Sequence, residues 1–220
     1  MSLTIRQGKL DARFRSSPAE VLSITSSGTY NDGQFHNVVV VRTGRKVEVL
    51  VDDISIGTIR LARQVAGSSS SSSADFSHLM LGGVRPEWLS MASDFIGTQH
   101  SFTGCIADLS FNNQLVDLSY PVRHSAAAVG RCQHVPVPRM LEERMQANEN
   151  ALSSCREVPQ YTIEGRAFKF GDAPNSHVMI SANRKELHNS FNFTMDFRTH
   201  YPNGLLLFSS VRIFVIFKLD

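Results

Sequence analysis

The chain is poor in the residues on which most enzymes, membrane proteins and disulfide scaffolds depend. Three cysteines in 220 residues are too few to build a disulfide framework, and an odd number leaves one unpaired or paired outside the chain. They do not decide the redox compartment, because three buried thiols of a cytosolic protein would read the same. No apolar run approaches the ~20 residues a bilayer span needs. Charge of neither sign dominates, with 22 Lys+Arg against 20 Asp+Glu, so no global field draws the chain to nucleic acid or to a membrane surface. The G-x-S-x-G, phosphate-loop and HExxH patterns are absent, and the eight histidines show no metal-ligand spacing. Met1 opens directly on strand-like residues, without the basic and apolar regions of a signal peptide. The paired carboxylates of a sandwich-fold glycosidase reduce to Asp52 and Asp53. As neighbours in a strand these would point to opposite faces, which argues against that chemistry.

What the chain does have is short strand-like runs, with turn residues recurring every ~8–12 positions. Residues 3–14 read as two strands around Gly8, and Glu20–Thr25 as a third. Asn31 to Asn37 form a turn leading into Val38-Val39-Val40-Val41, a run apolar enough for a strand buried on both faces. After a polar turn at 43–46, Val47, Val49 and Val51 share one face of the returning strand. The serine run at 67–73 cannot bury apolar surface and reads as a flexible loop. A short strand at 78–83 ends in two glycines. Apolar and polar residues then alternate from Cys105 to Phe111, the period of a half-buried strand at the closing edge of a sandwich, and Asn112-Asn113 supplies a tight hairpin turn. Cys105 and Cys132 bracket this hairpin and either staple it or remain two buried thiols. Residues 133–159 differ: an extended Pro-containing stretch precedes helix formers over 139–153, with Leu141, Met145 and Leu152 near one face. Strand patterns resume at Ala167–Phe170, 177–180, 191–198 and 205–208. The pattern predicts an all-β antiparallel sandwich.

Asn31-Asp32-Gly33-Gln34-Phe35-His36 resembles the NDGxWH signature of laminin G-like domains, with Phe35 in the usual Trp place. Val51-Asp52, Leu81-Gly82-Gly83, Phe102-Thr103-Gly104-Cys105-Ile106-Ala107-Asp108-Leu109 and Gly130-Arg131-Cys132 follow in that family's order and spacing. The resemblance implies a concanavalin-like jelly roll. It places residues 1–132 as the C-terminal part of one such domain and 133–159 as a linker with a short helix. Residues 160–220 resemble the N-terminal part of a second, truncated domain through Asn175-Ser176-His177-Val178-Met179-Ile180, Phe193-Thr194-Met195-Asp196-Phe197-Arg198 and Asn203-Gly204-Leu205-Leu206-Leu207-Phe208. The order is similar to the junction of the third and fourth G-like repeats of laminin α subunits. A perlecan, agrin or neurexin relative is the alternative. The two parts are complementary by family, so the second is able to dock on the first as one circularly permuted sandwich. The residues after Ser210 depart from the family pattern and read as a gene-model artefact.

The resemblance also carries site expectations. Cys105 and Cys132 would form the family's disulfide. Cys155 would remain a free or inter-domain thiol. Calcium is the family's usual ligand, and Asp75 stands near one of its carboxylate positions, while the other would lie in strands this chain lacks. Arg42, Arg45, Lys46, Arg60 and Arg63 are candidates for contact with heparan sulfate or other sulfated glycans. Asn192-Phe193-Thr194 is an N-glycosylation sequon whose Asn faces outward if the strand alternates as written. His36, which follows a turn, reads as structural. The implied function is non-catalytic adhesion in the extracellular matrix, at basement membranes. Sulfated glycans, dystroglycan-type receptors, integrins and, in a full protein, other laminin chains would be its partners. A concanavalin-like glycosidase and a purely structural spacer are the other classes.

Overall fold

The computed structural model describes residues 1–17, 20–62, 76–118, 121–129, 132, 167–171, 173–183 and 190–209. The linker helix expected over 139–153 lies outside them. Fifteen strands and one helix are assigned among the described residues. One sheet contains β1 (Ser2–Arg6), β2 (Lys9–Ser17), β3 (Glu20–Thr25), β7 (Phe76–Leu81), β10 (Arg123–Ser125), β13 (His177–Asn183) and β15 (Gly204–Ser209), in the spatial order β10-β13-β7-β15-β1-β2-β3. The other contains β4 (Phe35–Thr43), β5 (Lys46–Val51), β6 (Ile54–Arg60), β8 (Gly104–Phe111), β11 (Ala127–Val129), β12 (Ala167–Phe170) and β14 (Ser190–Arg198), ordered β11-β12-β8-β14-β4-β5-β6, with β9 (Gln114–Leu115) paired to β8. The pairings are antiparallel, and the fold is the β-sandwich that the strand pattern predicts.

Tight turns form where the side chains permit positive φ. Gln7 and Gly8 at φ 53° and 79° join β1 to β2, and Asn112 and Asn113 at 48° and 64° join β8 to β9. The core lies between the sheets. Leu3, Ile5, Leu10 and Phe14 on one side meet Val38, Val40, Val47, Val49 and Val51 on the other, all buried.

Both sheets are built from the two halves of the chain. β14 runs between β4 and β8, with Phe193 opposite Val40 and Phe111, and Phe197 opposite His36 and Ile106. β15 runs between β1 and β7, with Leu207 opposite Leu3 and Leu81. The later segment therefore supplies inner strands to the earlier one.

Three local expectations are corrected. The four-valine run is not buried on both faces: Val38 and Val40 are fully buried, while Val39 and Val41 turn to the half-buried outer side of β4. β15 is buried on both faces, because Leu206 and Leu207 enter the main core while Leu205 and Phe208 pack under a helix, and Met80 of β7 and Met179 of β13 join that second cluster beside it. β8 is not a closing edge, since β12 and β14 flank it. Its alternation also slips at Asp108, whose φ of 48° marks a bulge against β14 and sends Ile106, Leu109 and Phe111 into the core. The return strand after Asn113 is only Gln114–Leu115.

The helix α1 (Pro86–Ile96) is an element that strand periodicity does not show. Its signals are local: Pro86 occupies the first position and Gly97, at φ 81°, follows the last. Trp88 and Phe95 each approach the Phe208 ring edge-on with centroids 6.0 Å apart. Carbonyls at its C-terminus are met by the first sheet. Ser2 Oγ donates to the Ile96 carbonyl at 3.1 Å and Arg13 Nη1 to the Asp94 carbonyl at 3.0 Å. Arg13 and Arg6 also share the buried carboxylate of Asp11, at 2.9 and 3.3 Å.

Candidate functional site

The β4–β5 hairpin gathers cations at one end of the sandwich. Gly44, at φ 59°, allows the tight turn. Lys46 stands directly across from Arg60 in the register of β5 with β6. Arg42 Nε donates to the Gly44 carbonyl at 3.0 Å, and Arg45 Nε to the Leu61 carbonyl at 2.7 Å. Backbone acceptors thus hold the Nε of both guanidinium groups, whose other N–H groups are of the kind that pairs with oxyanions. Burial lowers the Arg42 pKa from its usual value. The counter-charge within the group is Glu48, 3.1 Å from Lys46 Nζ. Arg45, Lys46 and Arg60 are exposed, while Arg42 is half-buried. The structure therefore sets Lys46 beside Arg60 with Arg45 in the adjoining turn, whereas Arg42, directly across from the buried Val47, lies on the inner-facing side of the sheet. Arg63, like Asp75 and Cys155, lies outside the described residues.

The opposite end carries the Asn31–His36 motif, and its residues do structural work. Asp32 Oδ1 accepts from the Gln34 N–H at 2.8 Å, closing the turn. Gly33 sits at φ 83°, and a Cβ there would run into the His200 ring. Phe35 lies under Arg198, whose guanidinium carbon is 4.8 Å from the ring centroid. His36 is clamped between two carboxylates, Nδ1 to Asp52 at 2.8 Å and Nε2 to Asp32 at 3.0 Å. Asp52 also accepts the Asn37 N–H at 2.9 Å. Asp52 and Asp53 are not strand residues pointing apart: both occupy the β5–β6 turn at φ 50° and 64°. Sequence reasoning gave His36 a structural role but neither of its partners, and Asp52 reaches it only through the β4–β5 register.

Burial opposes charge on His36, but hydrogen bonds and attraction from Asp52 and Asp32 outweigh it and raise its pKa. Burial likewise opposes ionisation of Asp32, and the Gln34 N–H and His36 overcome it and lower its pKa. A raised His pKa stabilises the fold below its unfolded value near 6.5, and that contribution is lost as pH rises through the folded value. A lowered Asp pKa stabilises above the unfolded value near 3.9, and is lost as pH falls through the folded one. The clamp is accordingly strongest between about pH 4 and 6.5. Because solvent screens these groups, its contribution stays below about 1 kcal/mol. Wild-type Tm is expected to fall slightly from pH 5.5 to pH 8, and H36Q to lose most of that slope. An identical slope in the two proteins refutes the clamp.

Cys105 and Cys132 are joined in a disulfide with Cα atoms 5.7 Å apart, closing 27 residues of chain. A loop of that length stabilises by about 3–4 kcal/mol through the entropy it removes from the unfolded chain. The bridge packs with Ala107, Ala167 and Phe35 on the outer side of β8. Asn192 faces outward on β14, between the buried Phe191 and Phe193, and is half-buried. No three His, Cys, Asp or Glu side chains lie together as a metal site among the described residues. No helix among the described residues is long and apolar enough to cross a membrane.

A profile of the Laminin G domain matches residues 1–114, just over half the chain. Laminin subunit alpha-1 of Mus musculus is 24% identical over 94% of this chain and 7% of its own length. Laminin subunit alpha-3 of Homo sapiens is 21% identical over 96% of the chain and 6% of its own length. Usherin of Homo sapiens is 24% identical over 94% of the chain and 4% of its own length. The chain therefore spans a small fraction of the curated relatives it matches. No solved structure matches it. These relatives make the chain an extracellular-matrix-type module, and its motif, sandwich and matched profile place it in the laminin G domain family.

Proposed function

We propose that the chain is a non-catalytic adhesion module that binds sulfated glycans, of the heparan sulfate type, through the basic end of its sandwich. The observation that supports this is the meeting of Lys46 with Arg60, with Arg45 in the adjoining turn. Like charges directly opposite on neighbouring strands destabilise a sheet by roughly 0.2–1 kcal/mol. A polyanion lying across the hairpin would reverse that cost, and arginine matches planar oxyanions with paired N–H donors. Basement membrane is the setting this reading implies. Dystroglycan-type receptors and integrins are its cell-surface partners, and other laminin chains its neighbours in a complete protein.

Retention on immobilised heparin tests the glycan reading. K46A/R60A is expected to elute at clearly lower salt than wild type, because two of the contacts screened by salt are gone. K9A, at the opposite end of the sandwich, is expected to elute unchanged. Equal elution of K46A/R60A and wild type removes the hairpin from the binding surface.

A further inference from the structure

β14 carries its sequon on the outer side of its sheet, beside aliphatic side chains. Val41 stands directly across from Asn192, Val39 across from Thr194, and Leu50 across from Val39 on the next strand. All three aliphatic side chains are half-buried on the outer side of their sheet. α1 packs on the outer face of the other sheet, and no described helix covers this one. Asn192 is fixed in place, since its N–H donates to Asn112 Oδ1 at 2.9 Å and its carbonyl accepts the Asn112 N–H at 2.7 Å. Within its amide, Oδ1 is buried without a partner. The Thr194 hydroxyl is 2.5 Å from that of Ser110, which sets the second sequon side chain on the same face.

We propose that an N-linked glycan on Asn192 lies across Val41, Val39 and Leu50, so that this face is a sugar-shielded surface rather than a protein interface. The stripe extends two strand spacings from Asn192, about 10 Å, within reach of the first sugars of an N-linked chain. Sugar rings present C–H faces that pack on aliphatic side chains while their hydroxyls stay in water. Shielding of this kind covers the accessible part of a half-buried apolar strip that would otherwise favour face-to-face association. The glycan is added in the secretory pathway, so the proposal rests on the extracellular reading. It does not rest on heparin binding, which the hairpin variants test separately.

The test uses the full chain behind an added signal peptide, secreted from mammalian cells. Wild type is expected to lose one glycan's mass on treatment with peptide N-glycosidase, T194S to behave alike, and N192Q to show no such step. Glycan-free N192Q is expected to bind a hydrophobic fluorescent dye several-fold more strongly and to self-associate on gel filtration. Adding V39T and L50T to N192Q should reverse both changes. If N192Q is not secreted, deglycosylation of the folded wild type provides the same comparison. A secreted wild type without the mass step, or a glycan-free protein that stays monomeric with unchanged dye binding, overturns the proposal.

Discussion

Residues 1–132 expressed alone are expected not to fold, and to recover a soluble, cooperatively melting complex when co-expressed with residues 160–220. The truncation removes β14 from between β4 and β8, and β15 from between β1 and β7. Four inner strands are thereby converted into open edges whose unpaired N–H and C=O groups template aggregation. The core loses Phe168, Phe170, Phe193, Met195 and Phe197, all essentially inaccessible in the full chain. Burial of each such side chain stabilises by about 1.5–3 kcal/mol, so these five alone rival the total stability of an ordinary domain, about 5–15 kcal/mol. Circular dichroism and gel filtration of the two pieces, separate and together, check this. A monomeric 1–132 with the melting transition of the full chain would show that the two segments are independent units.

Phe193→Ala is expected to cost about 3–5 kcal/mol, the range for deleting a buried aromatic side chain without refilling its volume. Phe193 is fully buried, and its ring centroid lies 5.0 Å from that of Phe111. Its cross-strand partners, Val40 and Phe111, belong to the earlier segment. The substitution should therefore lower the urea midpoint of the whole sandwich in one transition. Amide protection should fall in β4 and β5 as well as in β14. Leu50→Ala, on the half-buried outer face, serves as the comparison and should cost far less. A Phe193→Ala loss below about 1 kcal/mol, or a loss of protection confined to β14, would contradict the pairing across segments.

Much of the fold follows from local chemistry. β3 and β12 match the sequence expectation to the residue, and β14 differs by one residue at its start. In each case the period-2 alternation or apolar run is short and bounded by turn residues. The turns at Gly8 and Asn112-Asn113 are legible for the same reason, because they need residues that tolerate positive φ. α1 has local signals in Pro86 and Gly97, yet its apolar residues give no strand period and no strand argument reaches it. The bulge at Asp108 has no local signal at all, since an aspartate within an alternating run looks like any outward-facing polar residue.

The candidate site divides along the same line. Arg42, Arg45 and Lys46 are neighbours in the chain, so the amino-acid order alone reveals their hairpin, whereas Arg60 joins them only through the β5–β6 register. His36 and Asp32 are four residues apart, but Asp52 reaches the histidine from another turn. The outward direction of Asn192 follows from alternation, while Val39 and Leu50 come beside it only through the pairing of three strands.

By itself the sequence determined strand periods, turn positions, the laminin G motif and the absence of the common catalytic patterns. Each of these depends on residues within a few positions of one another. Only the tertiary structure decided which strands are inner ones, that residues 167–209 complete both sheets begun by residues 2–60, and which face of each sheet is covered. Hydrogen bonds between strands carry no sequence code, because every backbone offers the same donors and acceptors. Strand order is set instead by which apolar faces fill the space between the sheets, a property of the whole chain.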